Sequence, residues 1–245
     1  DADCSLREAI DAANSSPGAD HVVLPEGDFL INLDGVQDWR GIFTILDDLT
    51  ISGAGADRTI IDGNLRGAVV RVLGAYIEIR DLTIRRGLGA IWATAGATVV
   101  ERVILRDNES TSGGGIFASG TLTVTDSTIA NNIAGEGGGL TVHLAQSVQI
   151  VNTTISSNRA TSVGGGIFNW SAASANYRLV NSTVTGNIAR GGSTGGVVGF
   201  EIVNSIVAGN DQPFNDLFGP AFDCGTVHSL GHNIDGDGSF GLSAE

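Results

Sequence analysis

A single phrase returns throughout this chain. "TDSTIANN", "VNTTISSN", "VNSTVTGN" and "VNSIVAGN" are versions of one unit, and "LDDLTISG", "RDLTIRRG" and "ERVILRDN" precede them in looser form. Aligning on the central aliphatic gives Ile51, Ile84, Ile104, Ile129, Ile155, Val184 and Val207, and from Ile84 the steps are 20, 25, 26, 29 and 23 residues. Three positions before it stand Asp48, Asp81, Glu101, Asp126, Asn152, Asn181 and Asn204. Three positions after it, from Ile104 onward, stand Asp107, Asn132, Asn158, Asn187 and Asn210. A second phrase keeps step with the first: "GAIWA", "GGGIFAS", "GGGLTVH", "GGGIFNW" and "GGVVGF".

A unit of this length, with short apolar pairs between turn residues, cannot bury its apolar face alone; it does so by stacking on its neighbours. Successive turns of chain then pair in parallel at about 4.8 Å, and like residues form columns. Asn suits an inward position, because its amide donates to one neighbouring rung and accepts from the other. Gly-rich corners allow close backbone approach. The pattern predicts an all-β fold, a right-handed single-stranded parallel β-helix of about eight rungs, roughly 40 Å long. An antiparallel sandwich would not need the same residue at the same phase in every repeat.

A solenoid leaves its first core layer open and needs a cap. "SLREAIDAAN" supplies one: Ser5 and Glu8 form an S-x-x-E capping box, and Leu6, Ala9, Ile10 and Ala13 make an apolar stripe. The expected organisation is one domain, with a capping helix over 1–20, the β-helix over 21–210 and a C-terminal capping or tail segment over 211–245.

Composition agrees. The chain of 245 residues has 36 Gly, 4 Pro, no Met and 42% apolar residues in short bursts, which fits neither collagen nor disorder. Without an initiator Met or an apolar leader it reads as processed or trimmed. No apolar run approaches the roughly 20 residues of a membrane span. All 13 basic residues are Arg, and against 27 acids the net charge is −14, which argues against nucleic acid. The charge is uneven: residues 58–106 carry 8 Arg against 4 acids, an arginine belt between two acidic ends.

The belt holds Arg80, Arg85, Arg86, Arg102 and Arg106 beside Asp81, Glu101 and Asp107, so it reads either as a groove for an anionic ligand or as ion pairs between rungs. The acid series changes to amide along the chain, which is turn chemistry rather than catalysis. No catalytic set emerges. His228 and His232 lie in a Gly-broken segment that does not suit zinc. "NIDGDGSFGLSAE" approaches a calcium loop, with Asp235 and Asp237 as the metal candidates; a turn-rich tail is the simpler reading, and no cofactor is required. Asn-x-Ser/Thr at Asn14, Asn108, Asn152, Asn169 and Asn181 follows from the composition. Alternation sends Trp92, Phe117 and Phe168 outward, with Trp170 nearby, as a candidate interface or a surface covered by a loop.

The opening "C-S-L-R-x-A-I-x-x-A-N", carried by Cys4, Ser5, Leu6, Arg7, Ala9, Ile10, Ala13 and Asn14, resembles that of the bacterial CSLREA-type β-helix proteins. "ISGAGADRTIIDG", the "GGGI" phrases and "DCGTVHSLGHNIDGDGS" resemble the same family over essentially the whole chain. The resemblance implies a pectate-lyase-like solenoid, secreted or on the cell surface. It also implies that Cys4 and Cys224 are halves of local bridges. A bridge between the two would demand Cα atoms within about 7 Å at opposite ends of a solenoid.

Two functions are expected from this reading. One is a non-enzymatic structural or adhesive solenoid whose partners are other copies of itself or surface polysaccharide. The other is a protein that binds or cleaves polysaccharide, lyase-like, through the arginine belt.

Overall fold

The computed structural model describes residues 5–31, 43–73, 76–171, 176–191, 194–210 and 228–236. Cys4, Cys224 and Asp237 lie outside them. The chain winds into a right-handed parallel β-solenoid of about seven turns, with one short helix at its N-terminal end. One coil illustrates all of them. Ala97–Glu101 lies on face A, Ile104–Arg106 on face B, Glu109–Ser112 on a narrower face D, and Ile116–Ala118 on face C. Stacked coil on coil, the described residues make faces A and B nine-stranded sheets, face C six-stranded and face D four-stranded. Every pairing between consecutive coils is parallel.

The core follows from period-two alternation within each short strand. On face A the register aligns Ile51, Ile79, Val100, Val124, Ile150, Leu179 and Ile202 in one inward column. On face B it aligns Ile61, Ile84, Leu105, Ile129, Ile155, Val184 and Val207. All of these are buried. Burying a Val, Leu or Ile side chain contributes about 1.5–3 kcal/mol, so the repeated aliphatics are the main driving force for stacking.

Faces A and B meet at a two-residue corner, and its first residue sets the turn. Asp81, Arg102, Asp126, Asn152, Asn181 and Asn204 occupy that first position in successive coils, all left-handed, with φ between 46° and 58°. Asp and Asn tolerate that conformation because their short side chains bond locally, whereas most L-residues lose about 1–2 kcal/mol there. The expected acid–amide series is therefore the corner residue, with two corrections. Arg102 replaces Glu101, and Asp48 precedes a face A strand instead, because Ile51 belongs to face A and not to the Ile84 column.

The inward asparagines form a continuous ladder. The Nδ2 group of Asn108 donates to Asn132 Oδ1 at 2.9 Å, Asn132 to Asn158 at 3.0 Å, Asn158 to Asn187 at 3.0 Å and Asn187 to Asn210 at 2.8 Å. Each amide's second N–H reaches a carbonyl of the preceding coil, as Asn158 does to Ile129 at 2.8 Å. From Asn132 onward each Oδ1 also accepts the backbone N–H of the preceding asparagine, and Asn108 Oδ1 accepts that of Gly87. The ladder starts at Asn108, not at Asp107, which lies outward beside Arg106. "VIL" explains the displacement: of three successive aliphatics, Leu105 and not Ile104 enters the face B column.

Glycines follow Asn108, Asn132, Asn158 and Asn187 because two coils meet there at backbone distance. A Cβ on Gly139 would sit 2.7 Å from the Gly166 carbonyl oxygen, and one on Gly115 2.6 Å from that of Gly139.

Helix α1, Leu6–Ser15, lies over the open end of the core with Leu6, Ile10 and Ala13 buried. Its capping box is formed: Ser5 N–H donates to Glu8 Oε2 at 2.8 Å, and Glu8 N–H to Ser5 Oγ at 3.3 Å. Asn14 ties it to the first coil, donating to the Thr44 carbonyl and accepting from Leu46 N–H, both at 2.8 Å. The Arg7 guanidinium lies 5.0 Å above the Phe43 ring.

Candidate functional site

The arginine belt sits on consecutive coils at the outer edges of faces A and B. Arg85 follows Asp62 in the register of face B, and the Asp62 carboxylate is only 2% exposed. Both Arg85 Nε and Arg86 Nε donate to it, each at 2.8 Å, and Asn64 N–H adds a third bond at 3.0 Å. Burial pushes this carboxyl up, but the hydrogen bonds from Arg86, Asn64 and Arg85 and the Arg86 charge outweigh it and hold it below the usual range. Asp62 answers the question of what the belt does here, yet no repeated phrase points to it.

One coil on, Arg102 forks onto Asp81 with bonds of 2.7 and 2.9 Å and also contacts Glu101. The Arg102 hydrogen bond lowers the Asp81 carboxyl, against a smaller opposing effect of burial, and the same bond raises the guanidinium. Arg80 pairs with Glu78 at 3.2 Å and lies 3.8 Å from Asp81, and Arg106 pairs with Asp107. All five arginines of the belt thus have carboxylate partners, from their own coil or a neighbouring one.

Face C carries the outward aromatics. Trp92 and Phe117 are adjacent in register, half-buried, and the column continues through Thr141 to Phe168. Thr141 is buried and donates to the Glu136 carbonyl, so the column is interrupted. Phe168 meets Trp170 edge to face at 5.5 Å, and Trp170 is 55% exposed. His143, which the alternation does not single out, stacks on Phe117 at 6.2 Å and lies 6.5 Å from Trp170. The result is one exposed patch made from three coils.

The remaining sequence candidates separate. Asp235 is in a short strand paired in register with Val207, and its proposed partner Asp237 is outside the described residues. Among the described residues no group of three or more His, Cys, Asp or Glu is placed to hold a metal ion. His228 lies 3.8 Å from Glu201 on face A. Of the Asn-x-Ser/Thr sites, Asn108 and Asn169 are buried and Asn14 is engaged by the first coil, while Asn152 and Asn181 are exposed corner residues. No helix among the described residues is long and apolar enough to cross a membrane.

Stacked parallel coils, an internal amide ladder and a helical cap define a right-handed β-solenoid. The family described as "right handed beta helix region" matches residues 41–211, and the chain belongs to that family. No curated protein matches it significantly. Among solved structures it is similar to the A-module of the mannuronan C-5 epimerase AlgE6 from Azotobacter vinelandii. The identity is 14%, the match covers 93% of this chain and 96% of that one, and the TM-score is 0.28. A superposition that loose carries no argument about activity.

Proposed function

We propose that the protein is a non-enzymatic extracellular solenoid, structural or adhesive, of the CSLREA type, whose outer columns meet other copies of itself or a surface polysaccharide. The observation that carries this reading is how its charges are used. Asp62, Arg85 and Arg86, and likewise Asp81 and Arg102, are spent on each other across coils. They act as struts that let like residues stack. The side chains left facing outward, Trp170 and its aromatic neighbours, suit contact rather than chemistry.

Turnover of a uronate polymer would need these pairs to open, so that a guanidinium could face the substrate carboxylate. The test is a screen on uronate polymers followed by absorbance of unsaturated products, with light scattering of the same sample across salt and calcium concentrations. The proposal expects no turnover and a mass above the monomer that falls on Trp170→Ala. Turnover that is lost on Arg86→Ala would establish the lyase-like alternative instead. A monomer under all conditions would remove self-assembly.

A further inference from the structure

Face C meets face A at a corner whose turns vary in length. Thr94–Gly96 and Ser119–Gly120 are short, His143–Gln146 is longer, and the connection from Asn169 to Tyr177 is longer again. The backbones of the two short turns line a groove of about 520 Å³ at this corner. Tyr76, Ala97, Thr121 and Ser147 are successive members of one outward column beside it. The groove therefore runs along the solenoid axis for three coil spacings, roughly 14 Å. Its floor is held shallow by close stacking, since a Cβ on Gly120 would sit 2.6 Å from the Gly96 carbonyl oxygen.

The lining is polar without charge. Thr94 and Ser119 donate their hydroxyl protons to carbonyls of the coil before, Val72 and Thr94, each at 2.7 Å, which leaves their oxygens free to accept. The Tyr76 hydroxyl, the Thr121 hydroxyl and the Gln146 side-chain amide make no hydrogen bond among the described residues. The Tyr76 ring, 47% exposed, stands at one end as a flat apolar surface. Gln146 stands at the other.

These features select a ligand class. Among the described residues no arginine lines the groove, and the chain carries a net charge of −14, so a polyanion is disfavoured. A peptide added as a strand needs a free sheet edge. The strands here, Tyr76–Arg80, Ala97–Glu101 and Thr121–Thr125, are paired on both sides. What matches is a molecule with many hydroxyls and an apolar face that stacks on an aromatic ring, in a concave site with a few fixed polar groups.

We propose that this corner groove binds a neutral oligosaccharide, stacked on Tyr76 and hydrogen-bonded by Thr121 and Gln146. The inference rests on the polysaccharide contact of the proposed function, for which it names the site and the class of sugar, and it does not require copies to assemble, so a monomer that binds sugar leaves it standing. The test is calorimetric titration of the whole protein with cellohexaose, mannohexaose and laminarihexaose, with an alginate hexamer as the anionic contrast. The expected result is saturable binding of a neutral hexasaccharide, weakened about tenfold by Tyr76→Ala and by Gln146→Ala and unchanged by Arg86→Ala. Both substituted side chains are exposed, and equal melting curves establish that the variants are folded. Three results would overturn it: no neutral hexasaccharide binding at millimolar concentration, binding indifferent to both substitutions, or binding of alginate alone.

Discussion

Replacing Asn158 tests the ladder at its centre. Its side chain is fully buried and makes four hydrogen bonds: it donates to Ile129 and Asn187, and it accepts the backbone and side-chain N–H groups of Asn132. Asn158→Ala removes all four. The Asn132 backbone N–H is then left without a partner, which costs about 1–3 kcal/mol, and the other bonds contribute about 1 kcal/mol each. The expected loss is about 4–6 kcal/mol. Asn158→Asp keeps the shape but has no donor when ionised, and it sets a carboxylate against the Ile129 carbonyl and Asn187 Oδ1. Its loss at neutral pH should exceed that of the alanine variant. The buried carboxyl is raised in the folded state, so protonation as pH falls should narrow the gap. Asp107→Asn, in the exposed corner beside the ladder, should change stability by less than about 0.5 kcal/mol. Urea denaturation followed by far-ultraviolet circular dichroism, with amide exchange at Asn132, reads all three. An aspartate tolerated as well as asparagine would refute the reasoning.

Acid should loosen the first coils. The Asp62 and Asp81 carboxyls are lower folded than unfolded. Their stabilisation is complete above the unfolded value near 3.9 and is lost as pH falls through the depressed folded values. Exchange protection on Thr59–Asp62 and Thr83–Arg85 should fall in that window while Thr183–Thr185 holds. Ser5→Ala breaks the capping box and should cost about 1 kcal/mol, seen as faster exchange in Leu6–Ser15. Gly139→Ala forces a methyl against the Gly166 carbonyl and should abolish folding or lower the melting temperature sharply, whereas Gly18→Ala, with nothing within 4 Å, meets no clash and should cost only the backbone strain of its φ of 111°.

The stacking was legible because it is written in repeated residues: Asn132, Asn158, Asn187 and Asn210 fall in one column at the phase their phrases suggest. Register failed where the sequence offered two equal choices. In "VIL", period two cannot choose between Ile104 and Leu105, and only pairing with Ile84 and Ile129 decides. "LTIS" looks like the other phrases, yet Ile51 pairs with Ile79 on face A, and Thr59–Asp62 supplies the face B strand of that coil. The arginine belt could be located but not its partners, since Asp62 precedes Arg85 and Arg86 by one coil and belongs to no repeated phrase. The corner groove was invisible for another reason: turn residues from successive coils line it together, and no residue type marks it.

Spin labels along one outward column test the stacking most directly. Thr50, Glu78, Val99, Thr123, Gln149 and Arg178 succeed one another in register on face A. Distances between backbone positions, from Thr50 to Thr123, Gln149 and Arg178, should rise steadily, at roughly 14, 19 and 24 Å, by one strand spacing per coil. Distances that fail to increase in that order would contradict a single stacked solenoid.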